Sequence, residues 1–211
     1  IALLAQDSDP FNAWEASQRL LLRQLLAAIQ GPSEAQHPLQ ADAVAALRAT
    51  LRRADLDAAF KTLVLTLPTE AYLAEQMDEV DPQRVHAVRE AARRQLAREL
   101  AADWAWAFDE HQANGAYQPD PVSSGRRSLA GLALGMLVEL SRETGDSVWP
   151  GKAFQRTKDA GNMTERYAAT AALANAGHAL AQPALARFHT LFAGDALVID
   201  KWFALQASVP D

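Results

Sequence analysis

Cysteine is absent from the chain. Disulfides, a thiolate nucleophile and cysteine-ligated metals are therefore excluded, while the redox compartment stays open. Positive charge is in deficit: 20 Lys and Arg face 26 Asp and Glu, for a net charge of −6. Such a balance offers no electrostatic footprint for nucleic acid or an anionic membrane, so neither is expected as a partner. No apolar run approaches the roughly 18 to 20 residues of a membrane span, and no basic segment precedes a short apolar one as in a signal peptide. Glycine is scarce and never clustered as in a phosphate loop. Period-2 alternation rich in β-branched residues is missing too, so no strand is expected.

What the chain has is helical periodicity broken by caps, Gly and Pro. Ser8-Asp9-Pro10 is a start signal, and Phe11, Trp14, Leu21, Leu22, Leu25 and Ile29 recur at helical spacing until Gly31-Pro32. The loop 33–38 leads to a second helix ending near Ala54, and a third runs from Asp57 to about Leu65. Thr69 caps a fourth carrying Tyr72, Leu73 and Met77. Asp81-Pro82 opens a fifth, expected to run unbroken to about Gln112 with Val85, Val88, Ala92, Leu96, Leu100, Trp104 and Phe108 on one face. Its other face, with Arg89, Glu90, Arg93 and Arg94, reads as solvated, with Glu90 pairing Arg94. Ser123-Ser124 begin a sixth helix that ends at Gly145. Four shorter ones follow: Trp149 to Lys158; one capped by Asn162 or Thr164 and ending at Gly177; one from Pro183 to Gly194; and one capped by Asp195 and running to about Ala207. The expectation is an all-α single domain over 1–211, about ten helices in antiparallel hairpins forming an α-solenoid. Opening on Ile1-Ala-Leu-Leu without a methionine, the chain is expected to be a piece of a longer protein.

Catalytic constellations do not emerge. A zinc hydrolase needs two histidines at i and i+4 on a helix with a glutamate base, and the nearest pair, His178 and His189, is eleven positions apart. Ser123-Ser124-Gly125 offers hydroxyls but no strand-to-helix elbow, and reads as a helix N-cap. Gly131 and Gly135 lie in an apolar helix and read as close-packing positions. Arg126-Arg127, at the start of that helix, is a candidate anion site.

The stretch Gly161 to Gln206 is the most distinctive. Its Met163, Tyr167, Phe188, Leu191, Val198, Trp202 and Phe203 are core-like by spacing. Asn162-Met163-Thr164-x-Arg166-x-Ala-Ala, Ala184-Leu-x-x-Phe188, and Leu197-Val-x-Asp200-Lys201-Trp202-Phe203-x-Leu205-Gln206-Ala207 together resemble the C-terminal helical domain of bacterial aminopeptidase N, a zinc metallopeptidase. Phe11-x-x-Trp14, Leu67-Pro68, Asp81-Pro82 and Val88-Arg89-Glu90 extend the likeness along nearly the whole chain.

The resemblance implies an all-α superhelix that lies over the catalytic domain of the same polypeptide and encloses the substrate cavity. It implies zinc in the parent enzyme and none in this chain. The family's His-Glu-x-x-His and Gly-x-Met-Glu-Asn motifs do not occur here, so no catalytic, metal or cofactor-binding role carries over to any residue. Asn162, Met163, Thr164, Arg166, Asp200, Lys201, Trp202, Phe203 and Gln206 carry over as signature residues of the scaffold. Peptide substrates of the parent and a cytoplasmic setting are the remaining expectations, and the chain alone is expected to be inactive. The alternative is a free-standing α-solenoid that presents a concave face to a protein or peptide. An autonomous helical enzyme using a carboxylate pair is the third reading.

Overall fold

The structure, a computed structural model, describes residues 10–31, 36–113 and 115–208. The expected Ser8-Asp9 cap, much of the loop 33–38 and both chain ends lie outside the described residues. Eleven helices and no strand are found among those described: α1 Pro10–Gln30, α2 Ala41–Arg52, α3 Ala58–Leu65, α4 Glu70–Ala74, α5 Pro82–Glu99, α6 Ala101–Glu110, α7 Pro121–Thr144, α8 Val148–Asp159, α9 Met163–Asn175, α10 Ala181–Phe192 and α11 Ala196–Ala207.

The caps explain most of these boundaries. The side chains of Asp57, Thr69, Asp81, Asp120, Asn162 and Asp195 each accept a hydrogen bond from the backbone N–H three residues on. One of the four orphan donors at each helix start is thereby satisfied. Asp120 is the cap of α7, which corrects the expectation that Ser123-Ser124 begin it. Ser123 sits one turn in and donates its backbone N–H to Asp120 Oδ1 at 2.9 Å. At the other end, Gly145 takes the left-handed conformation, φ 70°, and its N–H returns to Ser141 O. Met77 lies beyond α4, which ends at Ala74.

The chain packs as two compact units that divide after Asp103. In the first, α1 packs on α3 and α5, α2 on α3, and α4 on α5. Leu21, Leu25, Leu47, Leu51, Leu65, Leu73 and Leu96 are fully buried there. Gln95, buried among them, acts as a backbone strand would: its Nε2 donates to Leu39 O at 2.8 Å and its Oε1 accepts from Leu39 N at 2.9 Å. In the second unit α9 packs on α7, α8 and α10, and α11 on α10. Trp104, Leu129, Leu134, Leu137 and Leu173 form its core.

The long fifth helix expected from periodicity is two helices. Every residue named for its apolar face is buried, yet the helix breaks at Leu100. The carbonyl of Glu99, at the end of α5, accepts from Arg48 Nη2 of α2 at 2.7 Å. Asp103 then holds both Arg48 and Arg52, at 3.1 and 2.7 Å. The polar face of α5 is not solvated either. Glu90 and Arg93 are largely buried, Glu90 pairs with Arg89 and Arg93 instead of Arg94, and Arg89 Nε donates to Pro68 O at 2.8 Å.

Arg48 illustrates a device that recurs among the described residues. Arg84 donates to Ala28 O, Ile29 O and Gly31 O at the end of α1. Arg126 donates to Glu110 O at the end of α6, and Arg166 to Thr157 O and Lys158 O at the end of α8. The last carbonyls of a helix lack N–H partners and carry its partial negative charge, so a guanidinium from a neighbouring element answers both needs.

Candidate functional site

The signature residues fall into two clusters, both within the second unit. The first is the α8–α9 junction. Asn162 caps α9: its Oδ1 accepts from Glu165 N at 2.9 Å and its Nδ2 donates to Glu165 Oε2 at 2.9 Å. Glu165 Oε1 accepts from Arg156 Nη2 of α8 at 2.7 Å, and Arg156 Nη1 donates to Gln112 Oε1 at 2.7 Å. Arg166, the next residue, ties α9 back to the carbonyl end of α8. One turn of chain thus locks two helices and the segment after α6 together. Met163 is half-buried and Thr164 exposed, with no side-chain role at the cap. Arg156 and Glu165 do not stand out in the sequence, although the Asn162-x-x-Glu165 spacing is that of a capping box.

The second cluster is aromatic and joins α10 to α11. Trp202 Nε1 donates to Leu185 O at 3.0 Å, and its ring lies 4.8 Å from that of His189 and 5.0 Å from that of Phe203. Phe188 packs between Tyr167, edge-on, and Phe192, tilted, with centroids at 5.9 and 4.7 Å. Burial raises the pKa of the Tyr167 hydroxyl. Phe203 is 59% exposed, Leu197 76% and Leu191 53%, so these three are surface residues and not the core positions that spacing suggested for Phe203 and Leu191. Asp200 and Lys201 are exposed, and Gln206 donates to Trp202 O within its own helix. Among the described residues no side-chain hydrogen bond or ion pair joins Asp200 or Lys201 to Asn162 or Thr164.

A polar pocket of about 420 Å³ opens beside the first cluster. The segment after α6 forms one wall, with Gln112, Tyr117 and Gln118. Ser123, Arg126 and Arg127 at the start of α7 form another, and Asn162 and Glu165 the third. The pair Arg126-Arg127, a candidate on sequence grounds, thus lines a concavity. Gly131, one turn farther along α7, faces α9 so closely that a Cβ there would meet Ala168 Cβ at 3.1 Å. A Cβ at Gly135 would meet nothing within 4 Å, so close packing explains only the first of the two glycines.

Metal chemistry finds no donor set among the described residues, where no group of three His, Asp or Glu side chains could hold an ion. The histidines are dispersed into separate local roles. His37 faces Glu99 at 3.6 Å, His86 faces Glu70 at 2.8 Å, His111 Nδ1 bonds Ala107 O, His178 Nδ1 accepts from Leu180 N, and His189 packs on Trp202. Among the described residues neither Ser123 nor Ser124 has a histidine partner.

Short capped helices packed on their sequence neighbours, with no strand among the described residues, define an all-α domain of the ARM-repeat, solenoid class. The family described as "Domain of unknown function (DUF3458_C) ARM repeats" matches residues 1–211, and the chain belongs to it. Aminopeptidase N of Caulobacter vibrioides is 32% identical over 210 residues, covering 99% of this chain and 24% of the relative. The enzymes of that name from Haemophilus influenzae and Escherichia coli are 29% and 30% identical, covering 100% and 99% of this chain. They are covered over 24% and 23% of their own lengths, so the chain spans about a quarter of these relatives, in their C-terminal region. A crystal structure of Legionella pneumophila aminopeptidase A in complex with aspartic acid shares the fold, with a TM-score of 0.80 over 99% of this chain and 25% of that one, at 23% identity.

Proposed function

We propose that this chain is the non-catalytic helical domain of a zinc-dependent aminopeptidase, which walls the substrate cavity and limits access to it. The observation that carries the reading is the match to aminopeptidase N relatives along the whole chain, over only a quarter of their length. In this reading zinc and the groups that polarise the scissile carbonyl are supplied by the remainder of such a polypeptide. A helical wall contributes by confinement: it keeps folded proteins and bulk water from the reacting centre, where exclusion of water strengthens every electrostatic interaction.

The work falls on the packing that keeps such a wall rigid. In this reading the α8–α9 lock and the Trp202 cluster hold short helices in register, and their residues act on geometry and not on substrate atoms. Deleting the region from a full-length enzyme should alter substrate-size selectivity or stability while zinc stoichiometry stays intact. Loss of zinc on deletion would sink the proposal. So would turnover of aminoacyl-arylamides by the isolated chain, with or without added zinc.

A further inference from the structure

We infer that the pocket between the start of α7 and the start of α9 is a binding site for a small organic oxyanion, with Arg127 as its anchoring cation. The inference does not depend on the peptidase reading, since it rests on the pocket's own residues. Arg127 is 5% exposed, yet its Nε is buried without a hydrogen-bond partner. Its Nη2 donates to a neutral acceptor, Gln118 O, at 2.9 Å. No acidic side chain lies within ion-pairing distance of it among the described residues. A buried guanidinium of this kind ordinarily has a carboxylate or phosphate against it, because desolvating a charge without a counter-charge is costly.

The surroundings point to an outside anion supplying that charge. Arg126 lines the same pocket, and the only acid among the described residues of its walls, Glu165, is already held by Arg156 and Asn162. Counting Arg156, which holds Glu165 from outside the pocket lining, three guanidiniums stand against one carboxylate, inside a chain whose net charge is −6. Tyr117 lies with its ring centroid 4.7 Å from the Arg127 guanidinium and is 54% exposed, so it forms a cover that offsets part of the desolvation. The start of α9 adds the partial positive charge of a helix N-terminus. At about 420 Å³ the pocket has the space of roughly fourteen waters at about 30 Å³ each, so it takes an organic body behind the anionic head and not only a bare ion.

The test is a thermal melt of the chain at constant ionic strength with chloride, inorganic phosphate, citrate, or a short peptide bearing either a free C-terminal carboxylate or an amide. Phosphate set against citrate and the free peptide distinguishes phosphate from carboxylate recognition, and the amide peptide isolates the charge. Specific binding should raise Tm by about 5–11 °C at 100-fold excess over Kd, and chloride should not. R127M should abolish the rise. R126Q and Y117A, which alter only partly or largely exposed side chains, should weaken binding at least tenfold even where R127M folds poorly. No rise with any oxyanion, or an equal rise in R126Q, Y117A and the parent, would overturn the assignment.

Discussion

Arg156 and Glu165 form a shielded ion pair between α8 and α9: Nη2 and Oε1 are 2.7 Å apart, with side chains 19% and 10% exposed. Each has a further, neutral partner, Gln112 for the arginine and Asn162 for the glutamate, so removing either member leaves the other hydrogen-bonded but without its counter-charge. Full burial would make that loss about 3–5 kcal/mol, and the adjoining pocket admits water, so R156M or E165Q should each cost about 1–3 kcal/mol. For a chain of this length that lowers Tm by roughly 2–4 °C per kcal/mol. A double-mutant cycle should return a coupling of at least about 0.5 kcal/mol; additive losses would show the pair to be incidental.

Two glycines one turn apart on α7 should answer to substitution with opposite signs. G135A adds a methyl where nothing lies within 4 Å and replaces a flexible residue in a helix interior. It should stabilise by about 0.5–1 kcal/mol. At Gly131 a Cβ already meets Ala168 Cβ at 3.1 Å, so G131L must push α7 and α9 apart, at about 1–3 kcal/mol. Chemical denaturation of the two variants checks this, and equal effects would mean that the α7–α9 approach is not set by Gly131.

The helix starts were legible because their signals are local. Asp57, Thr69, Asp81, Asn162 and Asp195 cap in the structure as their positions beside apolar periodicity imply. The break at Leu100 was not legible: Leu96, Leu100 and Trp104 keep the helical period through it, no Gly or Pro marks it, and its partner, Arg48, sits about fifty residues away in sequence. The pocket escaped for the same reason, since its walls come from 112–127 and 161–165 and meet only through the packing of α9 on α7. Arg126-Arg127 could be suspected from sequence, but Arg126 as a cap for α6 and Arg127 as a buried cation could not be told apart there.

Asp55 supplies a pH dependence in the first unit. Its hydrogen bonds from Arg53, with Nε to Oδ1 at 3.0 Å and Nη2 to Oδ2 at 2.5 Å, hold its carboxyl down to about 2. A carboxyl depressed in the folded state stabilises above its unfolded value near 4 and loses that contribution as pH falls toward 2. Carboxyl-carbon NMR should therefore place the Asp55 midpoint near 2, and R53Q should return it toward the ordinary 3.8. The pair is open to solvent, so about 1 M salt should narrow the difference.

The run Asp200-Lys201-Trp202-Phe203 tests whether the most distinctive sequence in the chain is scaffold or site. Trp202 is half-buried, packs on His189 and donates to Leu185 O, whereas Asp200 and Lys201 are exposed. W202F keeps an aromatic ring but removes the indole bond to Leu185 O, for a loss of about 1 kcal/mol. W202A removes the ring as well and should cost about 2–4 kcal/mol, below the range for a fully buried tryptophan. D200A and K201A should each stay within about 0.5 kcal/mol of the parent. Urea unfolding of the four variants provides the measurement, and their order is the prediction. If D200A or K201A proved as costly as W202F, the run would be holding a contact outside the described helices, and Trp202 would share its scaffold role with the charged residues beside it.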